Sequence, residues 1–139
     1  EMRLFNKQLI TNIESDDIKV ISEVLKEAIV GLEQATNWII KINNKSPQTV
    51  AASAVTYLKL IGTVIGGWLM ARAALAAFKR IKTGEIQPFL NKKINSCRFF
   101  SDQILIQAPV LSYTVIHGWA SFIDTNEDIT DMYYLNGSD

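Results

Sequence analysis

A chain of 139 residues, 48% apolar and 20% charged, has the material for one globular domain with a real core. Its net charge of zero gives no overall field of the kind that draws a protein to nucleic acid, and its single cysteine, Cys97, excludes an internal disulfide. That thiol suits a reducing, cytoplasmic setting and, on the apolar face of a helix, is expected to pack rather than react.

The chain opens Glu-Met without a signal-peptide pattern, as expected of a tag remnant or a domain cut from a longer protein. Residues 1–16 are predicted to be a connecting segment or short helix, weakly patterned by Leu4, Phe5, Leu9, Ile10 and Ile13. Ser15-Asp16-Asp17 then offers a capping hydroxyl and two acids that complement a helix dipole. From there Ile18, Ile21, Leu25, Ala28, Leu32, Ala35, Ile39 and Ile42 recur at steps of three and four, the seam of a bundle helix. Asn43-Asn44-Lys45 ends it.

Ser46-Pro47 restarts the chain, with proline in the first helical position where its missing N–H does no harm. The second long helix is predicted to reach about Lys82, with Lys79, Arg80 and Lys82 suiting its C-terminal dipole and Gly84 terminating it. Gly62, Gly66 and Gly67 lie inside it, each costing roughly 1 kcal/mol relative to alanine. Such a cluster predicts a bend near Gly66-Gly67, and close approach by the backbone of a neighbour. The uncharged run Leu60–Ala71 falls short of the ~20 residues that span a bilayer, so no transmembrane segment is expected.

A third long helix is predicted from Gln87 or Pro88, seamed by Leu90, Ile94, Cys97, Phe100, Ile104, Ala108, Leu111, Val115, Trp119 and Phe122. Pro109 predicts a kink in it rather than two separate helices. The predicted fold is all-α, an antiparallel helical bundle of three long helices plus a short N-terminal helix. The bundle covers 17–123 and an acidic tail 124–139, which Met132, Tyr133, Tyr134 and Leu135 could pin.

No constellation for catalysis accompanies this bundle. His117 stands alone in an apolar run, without a second ligand at metal-binding spacing. Glu23 and Glu27 lie on the side of the first long helix away from its seam. The hydroxyl residues lack a His-acid relay, and the Gly-rich stretch follows no strand and has no P-loop lysine. Trp38, Trp68 and Trp119, one to each long helix, read as core or interface residues rather than a nucleic-acid stacking platform. Charge is nevertheless uneven: Lys41–Arg98 holds ten Lys/Arg against Glu85, whereas Phe99–Asp139 holds six acids and no base. Either the two regions face each other across the bundle, or the basic one docks an anionic partner.

Two segments carry a resemblance. One is Tyr57-Leu58-Lys59-Leu60-Ile61-Gly62 running into Gly66-Gly67-Trp68-Leu69-Met70-Ala71-Arg72-Ala73-Ala74. The other is Lys93-Ile94 with Cys97-Arg98-Phe99-Phe100-Ser101-Asp102-Gln103-Ile104-Leu105. In order and separation they resemble the helical C-terminal domain of large acyl-CoA dehydrogenases of the 3-methylmercaptopropionyl-CoA dehydrogenase-like subgroup, over about Ile18 to Ile123. The resemblance implies an accessory domain that is itself not catalytic and binds no cofactor. The resembled full-length enzyme binds FAD, oxidises an acyl-CoA between C2 and C3 and passes electrons to an electron-transfer flavoprotein. Its base and flavin contacts belong to an upstream catalytic body, which would be this domain's partner in a homo-oligomer. On this view Gly62, Gly66, Gly67, Trp68 and Arg72 form the central helix contact, and Arg98 and Phe99 buttress it. The chain departs from such relatives in its wealth of Lys, Asn and Ile and in its tail. A different class of function is a free-standing module that docks an anionic partner through exposed Lys79, Arg80, Lys82, Lys92 and Lys93.

Overall fold

The computed structural model describes residues 1–11 and 15–119, with backbone alone for 8–11. Its helices are α1 (Met2–Thr11), α2 (Asp16–Asn43), α3 (Pro47–Lys82), α4 (Pro88–Gln103) and α5 (Ala108–His117), with one 3₁₀ turn at Leu105–Gln107. Among the described residues there is no strand, so the chain is all-α as its periodicity predicts. The acidic tail and Phe122 lie outside the described residues.

The core follows the predicted seams. Ile18, Ile21, Leu25, Ala28 and Ala35 of α2 are fully buried, against Leu60, Val64, Ala71 and Ala74 of α3. Cys97 of α4, Leu105 of the 3₁₀ turn, and Ala108 and Val115 of α5 close the other side. Both α2 and α3 pack against α4 and α5 as well as against each other, and α3 is the longest rod. Its 36 residues, at ~1.5 Å each, give a helix of some 50 Å. Where α2 meets α3, Thr36 donates to the carbonyl of Leu32 (2.7 Å), so the Tyr57 hydroxyl must donate to Thr36 Oγ1 (2.8 Å). Short α1 packs on α2 through a buried pair in which Ser22 Oγ donates to Asn6 Oδ1 at 2.7 Å, and through an Arg3–Glu33 ion pair.

The helix ends correct part of the expectation. Ser15 and Ser46 do occupy the N-cap positions, yet neither side chain makes a capping bond. The Ser46 hydroxyl pairs with Thr49 Oγ1 at 2.8 Å instead. At the C-terminus of α3 the expectation holds: Gly84 takes φ +86, a left-handed conformation that glycine adopts without strain. Its N–H bonds Ile81 O (2.9 Å) and the Glu85 N–H bonds Arg80 O (3.2 Å), closing a Schellman motif.

The predicted third rod is two helices, not one kinked helix. The chain leaves α-helical geometry at Ile104, makes the 3₁₀ turn and resumes with Pro109 in the first turn of α5. The missing N–H of Pro109 costs nothing there. Around the turn the buried stripe runs through Ser101 and Leu105, whereas Ile104, placed in the seam by the three-four count, is exposed; the stripe rejoins the predicted seam at Ala108 and Val115.

By length and composition alone, α3 is apolar enough to cross a membrane. The core helix of a bundle passes the same test, and one face of α3, with Leu60, Val64, Ala71 and Ala74, does line the core. Only about a third of the most apolar stretch of α3 is buried, however, and that leaves a face to account for.

Candidate docking surface

The three glycines of α3 divide by what stands opposite them. A Cβ at Gly67 would lie 2.6 Å from both methyl groups of Leu105, and one at Gly66 would lie 3.1 Å from Cζ of Phe100. Both glycines therefore make room for side chains of the broken third rod, rather than for a neighbouring backbone. A Cβ at Gly62 would meet nothing within 4 Å, because this glycine faces outward. The close backbone approach is at Gly31 in α2, which sequence reasoning missed. A Cβ there would stand 3.3 Å from Ser112 Cβ and 3.6 Å from Pro109 Cα. A lone glycine in an otherwise regular seam was the available signal.

Around Gly62 runs an apolar stripe at helical spacing. Val55 is 81% exposed, Leu58 71%, Ile65 39% and Leu69 52%. At ~100° per residue these four and Gly62 share one face of α3, roughly opposite the buried face of Leu60, Val64 and Ala71. Lys59 flanks the stripe on one side and Arg72 and Lys79 on the other, all three exposed. No Asp or Glu occurs anywhere in α3. Isolated exposed apolar residues are ordinary, but an aligned set rimmed by charge marks a contact surface.

Trp68 and Arg72 sit at the edge of this stripe. The Arg72 guanidinium lies over the Trp68 ring at 5.0 Å, and with Glu1, Leu4 and Phe5 they line a recess of about 260 Å³ between α1 and α3. The Trp68 indole N–H is buried without a hydrogen-bond partner among the described residues. Arg98 does not reach this helix. Its guanidinium bonds Asp102 one turn on and Asp17 in the first turn of α2 (3.0 Å), joining α4 to α2. Phe99 is 65% exposed and faces away from α3, so Phe100 is the side chain that braces the glycines.

The remaining candidates are structural. Cys97 is fully buried with Sγ 3.9 Å from Met70 Sδ, and burial pushes its thiol up against a smaller opposing pull from Lys93. His117 is exposed and stacks obliquely on Tyr113, with ring centroids 4.4 Å apart. Of the basic cluster, Arg80 is engaged bidentately by Glu85 (2.7 and 2.5 Å) and Lys82 lies over the Phe78 ring. Among the described residues no three His, Cys, Asp or Glu side chains are grouped to hold a metal. All three glycines of the Gly-rich stretch lie within one helix, so their backbone cannot cradle a dinucleotide pyrophosphate as a strand–turn–helix does.

Among the described residues the bundle offers a packed core and an apolar outer face of the kind that contacts another surface. Residues 5–126 match the family described as "Acetyl-CoA dehydrogenase C-terminal like", and the chain belongs to that family. It is similar to 3-methylmercaptopropionyl-CoA dehydrogenase of Ruegeria pomeroyi, with 28% identity over 87 residues. That alignment takes in 63% of this chain but 15% of the relative's length. No solved structure matches the chain.

Proposed function

We propose that this chain is the accessory C-terminal helical domain of an FAD-dependent acyl-CoA dehydrogenase, packing on the catalytic body and serving its assembly without taking part in the chemistry. The observation that carries the reading is the family match across residues 5–126, almost the whole chain. The flavin, the acyl-CoA and the electron-transfer flavoprotein would then engage the body alone. In this reading the bundle is 17–123, preceded by a leading segment through 16 whose helix α1 rests on α2 and followed by an acidic end from 124. A buried, free Cys97 suits the reducing cytoplasm assigned to it.

The test is the intact mass and flavin content of the native gene product. A polypeptide of several hundred residues that carries FAD and oxidises an acyl-CoA supports the proposal. A flavin-free product close to 15.6 kDa overturns it.

A further inference from the structure

We infer that the outer face of α3, centred on Gly62, is the surface on which the catalytic body docks, and that the body meets it with an apolar surface rimmed by carboxylates. This rests on the proposed role as an accessory domain and specifies its contact.

Four observations converge on the face. Two of the three α3 glycines are filled from within the chain, by Phe100 and Leu105, and the third opens outward onto nothing. An interior glycine weakens a helix, so Gly62 has no counterpart gain unless another surface comes close there. Val55, Leu58, Ile65 and Leu69 give that surface a greasy track two turns long on either side of the notch. The charges of α3 itself that flank the track are all cations, Lys59 on one side and Arg72 and Lys79 on the other, with Glu1 beside Arg72 at one edge and no acid on the helix. A second copy of α3 would bring like charges together, whereas an amphipathic helix with Asp or Glu on its flanks is complementary.

The last observation is where the chain comes from. Glu1, Leu4 and Phe5 line the recess beside Trp68 and Arg72, at the edge of the track. Any polypeptide preceding α1 therefore arrives next to this face. In the relative, 85% of the length lies outside the matched segment, ample for a body that folds back onto α3.

The experiment uses the full-length polypeptide. Leu58→Cys and Phe99→Cys are introduced separately, and each thiol's maleimide labelling rate is followed by mass spectrometry of its peptide. In parallel, a carbodiimide joins lysines directly to touching carboxylates. The expected result is Leu58→Cys labelling slower than Phe99→Cys by roughly tenfold or more in the native protein and equally fast in denaturant. Lys59 or Lys79 should cross-link to Asp or Glu of the body. Adding Gly62→Leu, which has open space and leaves the domain's unfolding temperature unchanged or higher, should remove both the protection and the cross-links.

Free labelling of Leu58→Cys while the body cross-links through Lys92 or Lys19 would sink this inference and leave the accessory role standing. Absence of any cross-link between body and domain would sink both. Cross-links from Lys59 to Asp124–Asp139 of the same chain, or to a second copy, would assign the face to a different occupant. Protection that appears only with anionic phospholipid vesicles would make it a membrane surface instead.

Discussion

Ser112 Oγ donates a 2.7 Å hydrogen bond to the carbonyl oxygen of Gly31, across the crossing of α2 and α5. The bond forms because Gly31 has no Cβ. With one, the backbone of α5 at Pro109 and the Cβ of Ser112 would have to move outward. Gly31→Leu is expected to destabilise the domain by about 3 kcal/mol or more, beyond ordinary overpacking because the opposing atoms are backbone and Cβ. Ser112→Ala should cost only about 1 kcal/mol, since the carbonyl belongs to a helix and keeps its other lone pair engaged. Urea unfolding midpoints separate the two.

Gly67→Ala and Gly62→Ala should have opposite signs. At Gly67 the new methyl meets the ends of the fully buried Leu105, and overpacking of about 1–3 kcal/mol outweighs the roughly 1 kcal/mol gained in helix propensity. At Gly62 only the gain remains, so the thermal midpoint of the chain should rise. Leu105→Ala placed together with Gly67→Ala should cost less than the sum of the two single changes, measured as a double-mutant cycle.

Two buried hydroxyls behave differently for a simple reason. Ser22 has a partner in Asn6, so Asn6→Ala strands a buried hydroxyl and should cost about 1–3 kcal/mol, loosening α1 first in hydrogen exchange. The Ser101 hydroxyl is buried with no partner among the described residues, so Ser101→Ala should be neutral or stabilising by up to about 1 kcal/mol.

The fold's outline is legible in the sequence because the bundle is built from three-four seams, and Ile18, Ile21, Leu25, Leu90, Ile94 and Cys97 are buried where that count puts them. The count fails at Ile104. The buried stripe passes from Cys97 through Ser101 and Leu105 instead, then rejoins the count at Ala108 and Val115, and no local residue pattern announces the 3₁₀ turn between them. The glycine cluster was legible as a packing signal but not as three different environments. Which neighbour each glycine faces depends on the rotation of α3, which periodicity around a helix apolar on most sides leaves open. Arg98 and Phe99, read from resemblance as buttresses of α3, lie one on an ion pair to α2 and the other in solvent, since adjacent helical residues point about 100° apart and Phe100 takes the inward place.

The Cys97 thiol should resist modification while the domain is folded. Burial raises its pKa, so the thiolate fraction near pH 8 is below that of a free cysteine, and the reagent also has no path to it. Ellman's reagent is expected to react only at the rate of unfolding, becoming immediate in denaturant. Fast native labelling would mean that α3 and α4 separate readily at Met70.

Acid should weaken the end of α3. Arg80, hydrogen-bonded to Glu85, holds that carboxyl below the usual carboxylate range. A depressed folded value contributes stability that is complete above the unfolded value of about 4.3 and is lost as pH falls through the folded one. Glu85→Gln should therefore lower the midpoint slightly at neutral pH, with the gap closing as pH falls below about 4. Both groups are exposed, so the effect is small and should shrink further in high salt.

The Leu105–Gly67 contact also bears on descent. Leu105 seats in the space that Gly67 leaves, and that contact helps set the angle at which the chain turns between α4 and α5. A lineage that acquires a methyl at position 67 must give up bulk at 105 or abandon the turn. Among related chains the two positions should consequently change together or not at all, inherited as one character though they lie on different helices.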